Sequence, residues 1–390
     1  MKKISKKKIT IVTGSRADYG ILKNLITSLN KSQKYQLSLI VTGQHLSKNY
    51  GNTSEVVIND FAKICHLINI DIKKTNTLSI LSSISIGLNK IGKFLQIQKP
   101  QLIILLGDRY EILSAAIGSV YNNVKIAHIH GGEVTTGSID DLIRHAITKF
   151  SDFHFVSTST YRKRVIQMGE NPNNVFNVGA LGAENAKNIK LINKNELEKN
   201  LLIKFNKYNF LITINSFIEE KYSIDSLLKN FFSTLKKFKN TSFIFTMPNS
   251  DLKSDFIKSK ILKFCKKNKN CHFFKFMGSE NYLSCVKVCD LVLGNSSSGI
   301  LEAPTLNTAS VNIGDRQNGR VQANSIINSD NSSKNIYNSI KKSLSLKFKN
   351  KLKKTKNPYF KKNTAENIIQ IIEKKILIKS KKPKEFYDIK

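Results

Sequence analysis

In residues 102–150, which read LIILLGDRYEILSAAIGSVYNNVKIAHIHGGEVTTGSIDDLIRHAITKF, two short apolar runs each empty into a loop loaded with ionisable residues. Asp108, Arg109 and Glu111 follow one short apolar run (102–106). His128, His130 and Glu133 close a second run (125–128), and Asp140 and Asp141 come soon after. Carboxylates and imidazoles gathered this closely suit general acid–base work at carbon: one group removes a proton while another assists a leaving group or water. His128-Ile129-His130 also sets two imidazoles on one face of a strand end, and with Asp108 and Glu133 such a set suits a divalent ion. No spacing here matches a defined ligand motif, so no metal and no cofactor are expected. A His at a strand end is ordinarily held by hydrogen bonds, the reading preferred for His128.

Apolar strands that empty into polar loops are the pattern of a parallel α/β sheet, whose ligands sit beyond the carboxyl ends of the strands. Strands are expected at 8–13, 37–42, 102–106, 125–128, 153–156 and 175–178, with helices between them, making residues 1–180 one doubly wound domain. The first strand ends in Thr13-Gly14-Ser15-Arg16-Ala17-Asp18-Tyr19-Gly20 and a helix follows, the geometry that presents backbone N–H groups to a phosphate. Arg16 there is either an anion ligand or a helix-end residue. On the wheel of the helix at 139–150, Ile143, Ala146, Ile147 and Phe150 form an apolar stripe. Asp140 and Arg144 flank that stripe, whereas Asp141 and His145 point nearly opposite. Asp140 is thus the better placed acid, with Arg144 four residues on to keep it ionised; the bland alternative is a structural salt bridge at a helix start.

A second strand/helix alternation runs through 210–214, 242–246, 271–274, 291–293 and 308–313. Gly294-Asn295-Ser296-Ser297-Ser298-Gly299 follows one of these strands. Its small residues let backbone approach a phosphate, and the hydroxyls of Ser296 and Ser297 donate hydrogen bonds. No Lys follows as in a nucleoside-triphosphatase loop, and a Ser-rich capping turn is the plain alternative. Glu302 is placed to accept from ribose hydroxyls. Arg316, in Gly314-Asp315-Arg316-Gln317-Asn318-Gly319-Arg320, has a fork of donors suited to a diphosphate. The expected architecture is α/β, two Rossmann-like doubly wound domains facing a cleft with a diphosphate across it.

Bulk properties bound the function. A chain of 390 residues exceeds one ordinary core, so two domains are the default. No apolar run approaches the roughly 20 residues that span a bilayer, and the apolar run at the N-terminus is too short for a signal-peptide core, so a cytoplasmic protein with no membrane partner is expected. The five cysteines form no CxxC pair and read as buried thiols. The formal charge of +35 raises nucleic-acid binding. The lysines, however, are spread along the chain, Trp is absent, and aromatics are not interleaved with basic residues as in a stacking groove. No specific nucleic-acid partner is expected.

Taken in order, TGSRADYG, LGDRYE, HIHGGE, IDDLIRHAITK, GNSSSGILEAP and VNIGDRQNGR closely resemble the hydrolysing UDP-N-acetylglucosamine 2-epimerases, nearest the bacterial branch of sialic and legionaminic acid synthesis. The resemblance covers roughly residues 9–328. It implies the glycosyltransferase-B type fold, with an N-terminal acid/base domain at 1–180, a UDP-binding domain at 181–365 and a helix with a loose Lys-rich tail at 366–390. It implies a homodimer or homotetramer. It implies elimination of UDP across C1–C2 of a UDP-sugar to a glycal, then addition of water to give the free 2-epimer. The sugar is N-acetylglucosamine or 2,4-diacetamido-2,4,6-trideoxyglucose. By position Asp108 and Asp140 fall on acid/base positions; Arg16, Arg109, Ser296, Ser297, Glu302 and Arg316 fall on positions that hold UDP, with Asn249 beside them. Some relatives carry Glu at the place of His130, which leaves His130 or Glu133 as the second base. Relatives often carry His-Pro where this chain has Asn215-Ser216, so a neutral amide stands in place of a charge. The other readings are a glycosyltransferase on the same fold, which needs an acceptor, and a basic nucleic-acid-binding protein, which would bind with strong salt dependence and turn over no UDP-sugar.

Overall fold

The computed structural model describes residues 6–72, 76–136, 138–217, 222–376 and 384–389. The chain divides into two units, one of 1–133, 140–184 and 359–390, the other of 134–139 and 185–358. Each is built on its own parallel sheet, described here in turn.

In the first unit the strands are β1 (Lys7–Thr13), β2 (Tyr35–Val41), β3 (Cys65–Leu67), β4 (Leu102–Leu106), β5 (Lys125–Ile129), β6 (Phe153–Val156) and β7 (Val175–Asn177). They lie in the order β3-β2-β1-β4-β5-β6-β7, every pair parallel. The five residues of β4 are all buried, as an apolar strand sandwiched by helices on both faces must be. Strand order reverses between β1 and β4, and at such a switch point the loops after the two strands part to leave room for a ligand. Those loops carry Gly14–Asp18 and Asp108–Glu111.

In the second unit β8 (Tyr208–Thr213), β9 (Thr241–Thr246), β10 (Cys271–Phe274), β11 (Leu291–Gly294), β12 (Ala309–Ile313) and β13 (Ile326–Ser329) lie in the order β10-β9-β8-β11-β12-β13, again all parallel. The reversal falls between β8 and β11, whose loops carry Asn215 and Ser296–Ser297. Phe210, Phe231, Phe243, Phe245 and Phe264 pack on one side of this sheet, with the Phe232 and Phe264 rings stacked at 4.4 Å.

The expected strands are present, with two additions. β3 and β13 are edge strands of three and four residues that mix polar with apolar side chains. The end of the chain also differs from expectation. Helix Thr364–Ile371 belongs to the first unit, where Ala365, Ile368 and Ile372 join the core around Leu22, Leu25 and Leu29. Residues 377 and 378, expected to extend this helix, lie outside the described residues. Residues 384–389 are docked, not loose: Lys384 Nζ donates to the carbonyls of Lys149 (2.7 Å) and Ser151 (2.6 Å) and pairs with Glu170 (2.8 Å), and Tyr387 N–H donates to Gly169 O (2.9 Å). Burial works to raise the Glu170 carboxyl, but donors from His154, Lys149 and Lys384 bring it below its ordinary range. A run of lysines reads as solvated, and that one of them meets a buried carboxylate is set by tertiary contact alone.

Helix Thr364–Ile371 has no cap from its own N-cap residue, Asn363. The buried Glu184 supplies one from a distant part of the chain, accepting from Thr364 N–H (2.8 Å) and Ala365 N–H (3.0 Å). An anion at a helix N-terminus is favoured, and its loss strands two buried donors. Glu184→Ala is expected to cost about 1–3 kcal/mol in urea unfolding, with Glu184→Gln losing less; equal stability of all three proteins would contradict this capping role.

Candidate active site

The acid–base residues of the first unit are organised by two buried groups. The first is His130. Its φ is +70°, the left-handed region that few non-glycine residues occupy, and its N–H donates to Phe155 O (3.0 Å). That turn folds the His130 ring back toward Glu133. Nδ1–H donates to Glu133 Oε1 at 2.8 Å, and the Ser157 hydroxyl donates to the same oxygen at 2.7 Å. Glu133 is 1% exposed and Ser157 fully buried, so the carboxylate is a fixed acceptor. The other ring nitrogen of His130, Nε2, has no hydrogen-bond partner among the described residues. His130 and Glu133, alternatives in the sequence, are thus one hydrogen-bonded pair.

The second group is Arg144, 1% exposed. It donates to Glu133 O (2.9 Å) and to Asp141 Oδ1 (3.2 Å), and it forms an ion pair with Asp108. The helical wheel is corrected here. The buried side of helix Asp140–Phe150 is Arg144, Ile147 and Thr148, while Phe150 is exposed. Asp141 reaches inward to Arg144 rather than pointing away. A wheel ranks positions by apolar residues, and a buried cation that collects carboxylates inverts that ranking. Asp140 is half-buried at the first position of the helix. His128 is structural, as expected: fully buried, it donates from Nε2 to Gly107 O (2.8 Å) and meets the Thr148 hydroxyl at 3.2 Å, and burial pushes its imidazole down to about 3. Among the described residues no three His, Cys, Asp or Glu side chains group as a metal site would.

A separate cluster surrounds Gly14, in the loop after β1. Arg109 Nε donates to Glu111 Oε1 at 2.6 Å, and Glu111 is fully buried. A Cβ on Gly14 would overlap the Glu111 carboxylate, with Cγ only 2.6 Å away, so this loop requires glycine for the carboxylate to lie against it. Asp18 sits beside it; burial pushes its carboxyl up to about 6, against the pull of Arg109. His45, fully buried between the Thr13 hydroxyl (3.0 Å) and the Thr53 hydroxyl (2.8 Å), is held down at about 4 by burial. Arg16 opens helix Arg16–Lys31, whose cap is Ser15, accepting from Asp18 N–H at 3.3 Å. A cation at the positive end of a helix works against the helix, so helix stability does not account for Arg16.

In the second unit, the loops after β8, β11 and β12 are tied together by amides. Asn215 and Asn295 bond reciprocally, Asn215 N–H to Asn295 Oδ1 (2.7 Å) and Asn295 Nδ2 to Asn215 O (2.9 Å). Asn215 Oδ1 accepts from Asn249 N–H (3.0 Å), so Asn215 positions Asn249, which follows β9. Arg316 is buried, and its fork is directed into the protein: Nε donates to Ser216 O (3.0 Å), Nη1 to Asn295 O (3.4 Å), and Nη2 lies 3.8 Å from Asp251. It fastens three loops instead of standing open as a clamp, which a Gly-Asp-Arg motif read alone does not disclose. Ser296 and Ser297 are half-buried. Ser297 precedes helix Ser298–Leu301 without capping it, and Ser296 Oγ accepts from Ser298 N–H at 3.3 Å. That helix is a single turn, shorter than the motif suggested. Glu302 is buried at its end.

Comparison with known proteins decides the family. The model of the UDP-N-acetylglucosamine 2-epimerase family matches residues 27–373. The chain belongs to this family. It is 42% identical over 98% of both chains to the polysialic acid biosynthesis protein P7 of Escherichia coli. It is 38% identical to the GDP/UDP-N,N'-diacetylbacillosamine 2-epimerase (hydrolyzing) of Campylobacter jejuni, over 84% of this chain and 85% of that one. Among solved structures, the UDP-GlcNAc 2-epimerase of Neisseria meningitidis bound to UDP-GlcNAc superposes with a TM-score of 0.77 at 18% identity, covering 94% of this chain and all of that one. That superposition shows a shared fold. Among the described residues of this family member, no helix is long and apolar enough to cross a membrane.

The sequence offered no signal for Ser157, marked Asn295 only by its place in the Gly-Asn-Ser-Ser-Ser-Gly loop, and offered Asp141 beside Asp140 but turned it away on the helical wheel. The buried histidines also set an acid limit. Unfolded, an imidazole takes a proton near 6.5; folded, His45 does so near 4 and His128 near 3. Between these limits the unfolded chain binds more protons, so acid destabilises the fold. Asp18 acts oppositely, since its folded carboxyl binds a proton near 6 rather than 3.8. These three groups together leave about one extra proton on the unfolded chain, a contribution of about 1.4 kcal/mol per pH unit between roughly pH 6 and 4, and the lowered imidazoles of His66, His145, His154 and His272 act in the same direction. Asp18→Asn removes the offset and should steepen the loss by about 1.4 kcal/mol per unit. Urea unfolding across that range measures both slopes; a stability flat with pH would contradict the buried neutral histidines.

Proposed function

We propose that this protein is a hydrolysing UDP-sugar 2-epimerase acting on UDP-N-acetylglucosamine or UDP-2,4-diacetamido-2,4,6-trideoxyglucose. A base takes the proton from C2 while the C1–O bond breaks and UDP leaves, giving a glycal. Water then adds its oxygen at C1, and a proton is delivered to C2 from the opposite face, giving the free 2-epimer. The observation that carries this reading is the His130–Glu133–Ser157 chain. A carboxylate fixed by a second donor holds Nδ1–H, so the unpartnered Nε2 is a base of defined orientation. Proton exchange on two faces of one carbon needs a second, differently placed group, and Asp108 and Asp140 are assigned to it. Arg144 fixes Asp108 and the Glu133 backbone together.

The UDP ligands are assigned as Arg16 and Arg109 in the first unit and Asn249, Ser296, Ser297 and Glu302 in the second. Arg316 contributes by holding the loops that carry Asn215, Asn295 and, through Asn215, Asn249. The names of the relatives support both sugars, since one is a diacetylbacillosamine 2-epimerase and another a polysialic acid biosynthesis protein. The test is incubation with each UDP-sugar in deuterated water, with no acceptor. UDP release and a free sugar carrying deuterium at an inverted C2 are expected, and the faster substrate names the sugar. Retention of C2 hydrogen, or release only when an acceptor sugar is added, would contradict the proposal. Asp108→Asn and Asp140→Asn should each lower turnover by about 10²–10⁴-fold while UDP still binds.

A further inference from the structure

Three buried polar atoms around Gly14 have no hydrogen-bond partner among the described residues: Asp18 Oδ2, Glu111 Oε2 and Gln44 Nε2. All three belong to residues that border Gly14 or its neighbour Gly43. The Asp18 carboxylate accepts from Gly14 N–H, and Gln44 N–H donates to Gly14 O at 2.7 Å. Glu111 lies where a Gly14 Cβ would be, and a Cβ on Gly43 would come within 2.8 Å of Glu111 Oε1. These loops follow β1, β2 and β4, at the switch point of the first sheet. Glu111 is fully buried and Gln44 6% exposed, so neither is a surface side chain awaiting solvent.

A structural ion pair would close both carboxylate oxygens on the guanidinium. Here Arg109 Nε donates to Glu111 Oε1, while Glu111 Oε2 is a buried acceptor and Gln44 Nε2, from the loop after β2, a buried donor, each without a partner among the described residues. Such atoms carry a desolvation cost that the fold recovers only when a partner arrives. The partner must offer a donor to the carboxylates and an acceptor to the amide. A phosphate offers only acceptors and would be repelled by two carboxylates. A metal cation offers no acceptor for Gln44. An acetamido group offers both, its N–H and its C=O on adjacent atoms. We infer that Gln44, Glu111 and Asp18 form a subsite for an acetamido substituent of the sugar ring. The inference rests on the UDP-sugar reading above and goes beyond it in naming the group that is recognised and the residues that recognise it.

The test compares UDP, UDP-glucose and UDP-N-acetylglucosamine by calorimetric binding in the Asp108→Asn enzyme, so that no ligand is consumed. There the acetamido sugar should bind about tenfold more tightly than UDP-glucose, the equivalent of about 1.4 kcal/mol. Adding Gln44→Met or Glu111→Gln should bring the two sugars within about twofold of each other. Gln44→Met leaves UDP affinity unchanged, whereas Glu111→Gln, which removes the partner of Arg109, lowers the affinity for all three ligands alike. Two independent variants keep the test intact if one of them fails to fold. An undiminished preference for the acetamido sugar in both variants, with UDP still bound, would overturn the subsite and leave the epimerase reading standing. Failure of the parent to bind UDP at all would overturn the UDP-sugar reading and the subsite with it.

Discussion

A guanidinium cannot lose its charge, so burying one obliges the fold to bring acceptors to it. Arg144, 1% exposed, receives them from three places: Asp108 after β4, the Glu133 carbonyl after β5, and Asp141 one turn back on its own helix. Each acceptor belongs to a different loop or helix end, so the cation fixes their mutual positions as well as its own. Removing one partner of a buried pair is strongly destabilising, by about 3–5 kcal/mol, because the other charge is left without compensation. The acid–base residues are therefore held by a network that resists being drawn apart, which is what a site needs when proton transfer depends on placement within fractions of an ångström.

The second unit solves the same problem on the same topology with different chemistry. Its strand order also reverses beside the first strand, and a buried arginine again ties the loops there. Arg316 is met mainly by backbone carbonyls of Ser216 and Asn295, and an asparagine pair completes the tie. With Asn215 in place of a histidine, the loop after β8 is shaped by neutral amides. Asn215 spends its carbonyl on Asn249 N–H, so its role in this structure is to place a neighbouring loop.

Much of this was legible in the sequence and some was not, for identifiable reasons. Runs such as Leu102–Leu106 announce buried parallel strands because both faces are covered, and the loops after them announce a site because the fold class puts ligands there. β3 and β13 escaped because Cys65-His66-Leu67 and Ile326-Ile327-Asn328-Ser329 break off into polar or exposed residues, while the equally short edge strands β7 and β10 carry Val-Phe and Phe-Phe. The orientation of helix Asp140–Phe150 escaped because its largest buried side chain is an arginine, which a hydrophobic pattern does not count toward the buried face. Arg316 was identified as an anion ligand from its residue type, whereas its direction depends on two carbonyls that lie 100 and 21 residues away in sequence. The choice between His130 and Glu133 could not be made from spacing, since their contact exists only because His130 adopts a left-handed φ.

That contact carries the central claim, that an imidazole and a carboxylate act as one base. A double-mutant cycle measures it directly: kcat for His130→Gln, Glu133→Gln and the double variant on the faster UDP-sugar. If the two act as a unit, the double variant is no slower than the slower single one. Losses that multiply, with each single variant costing independently of the other, would contradict the account.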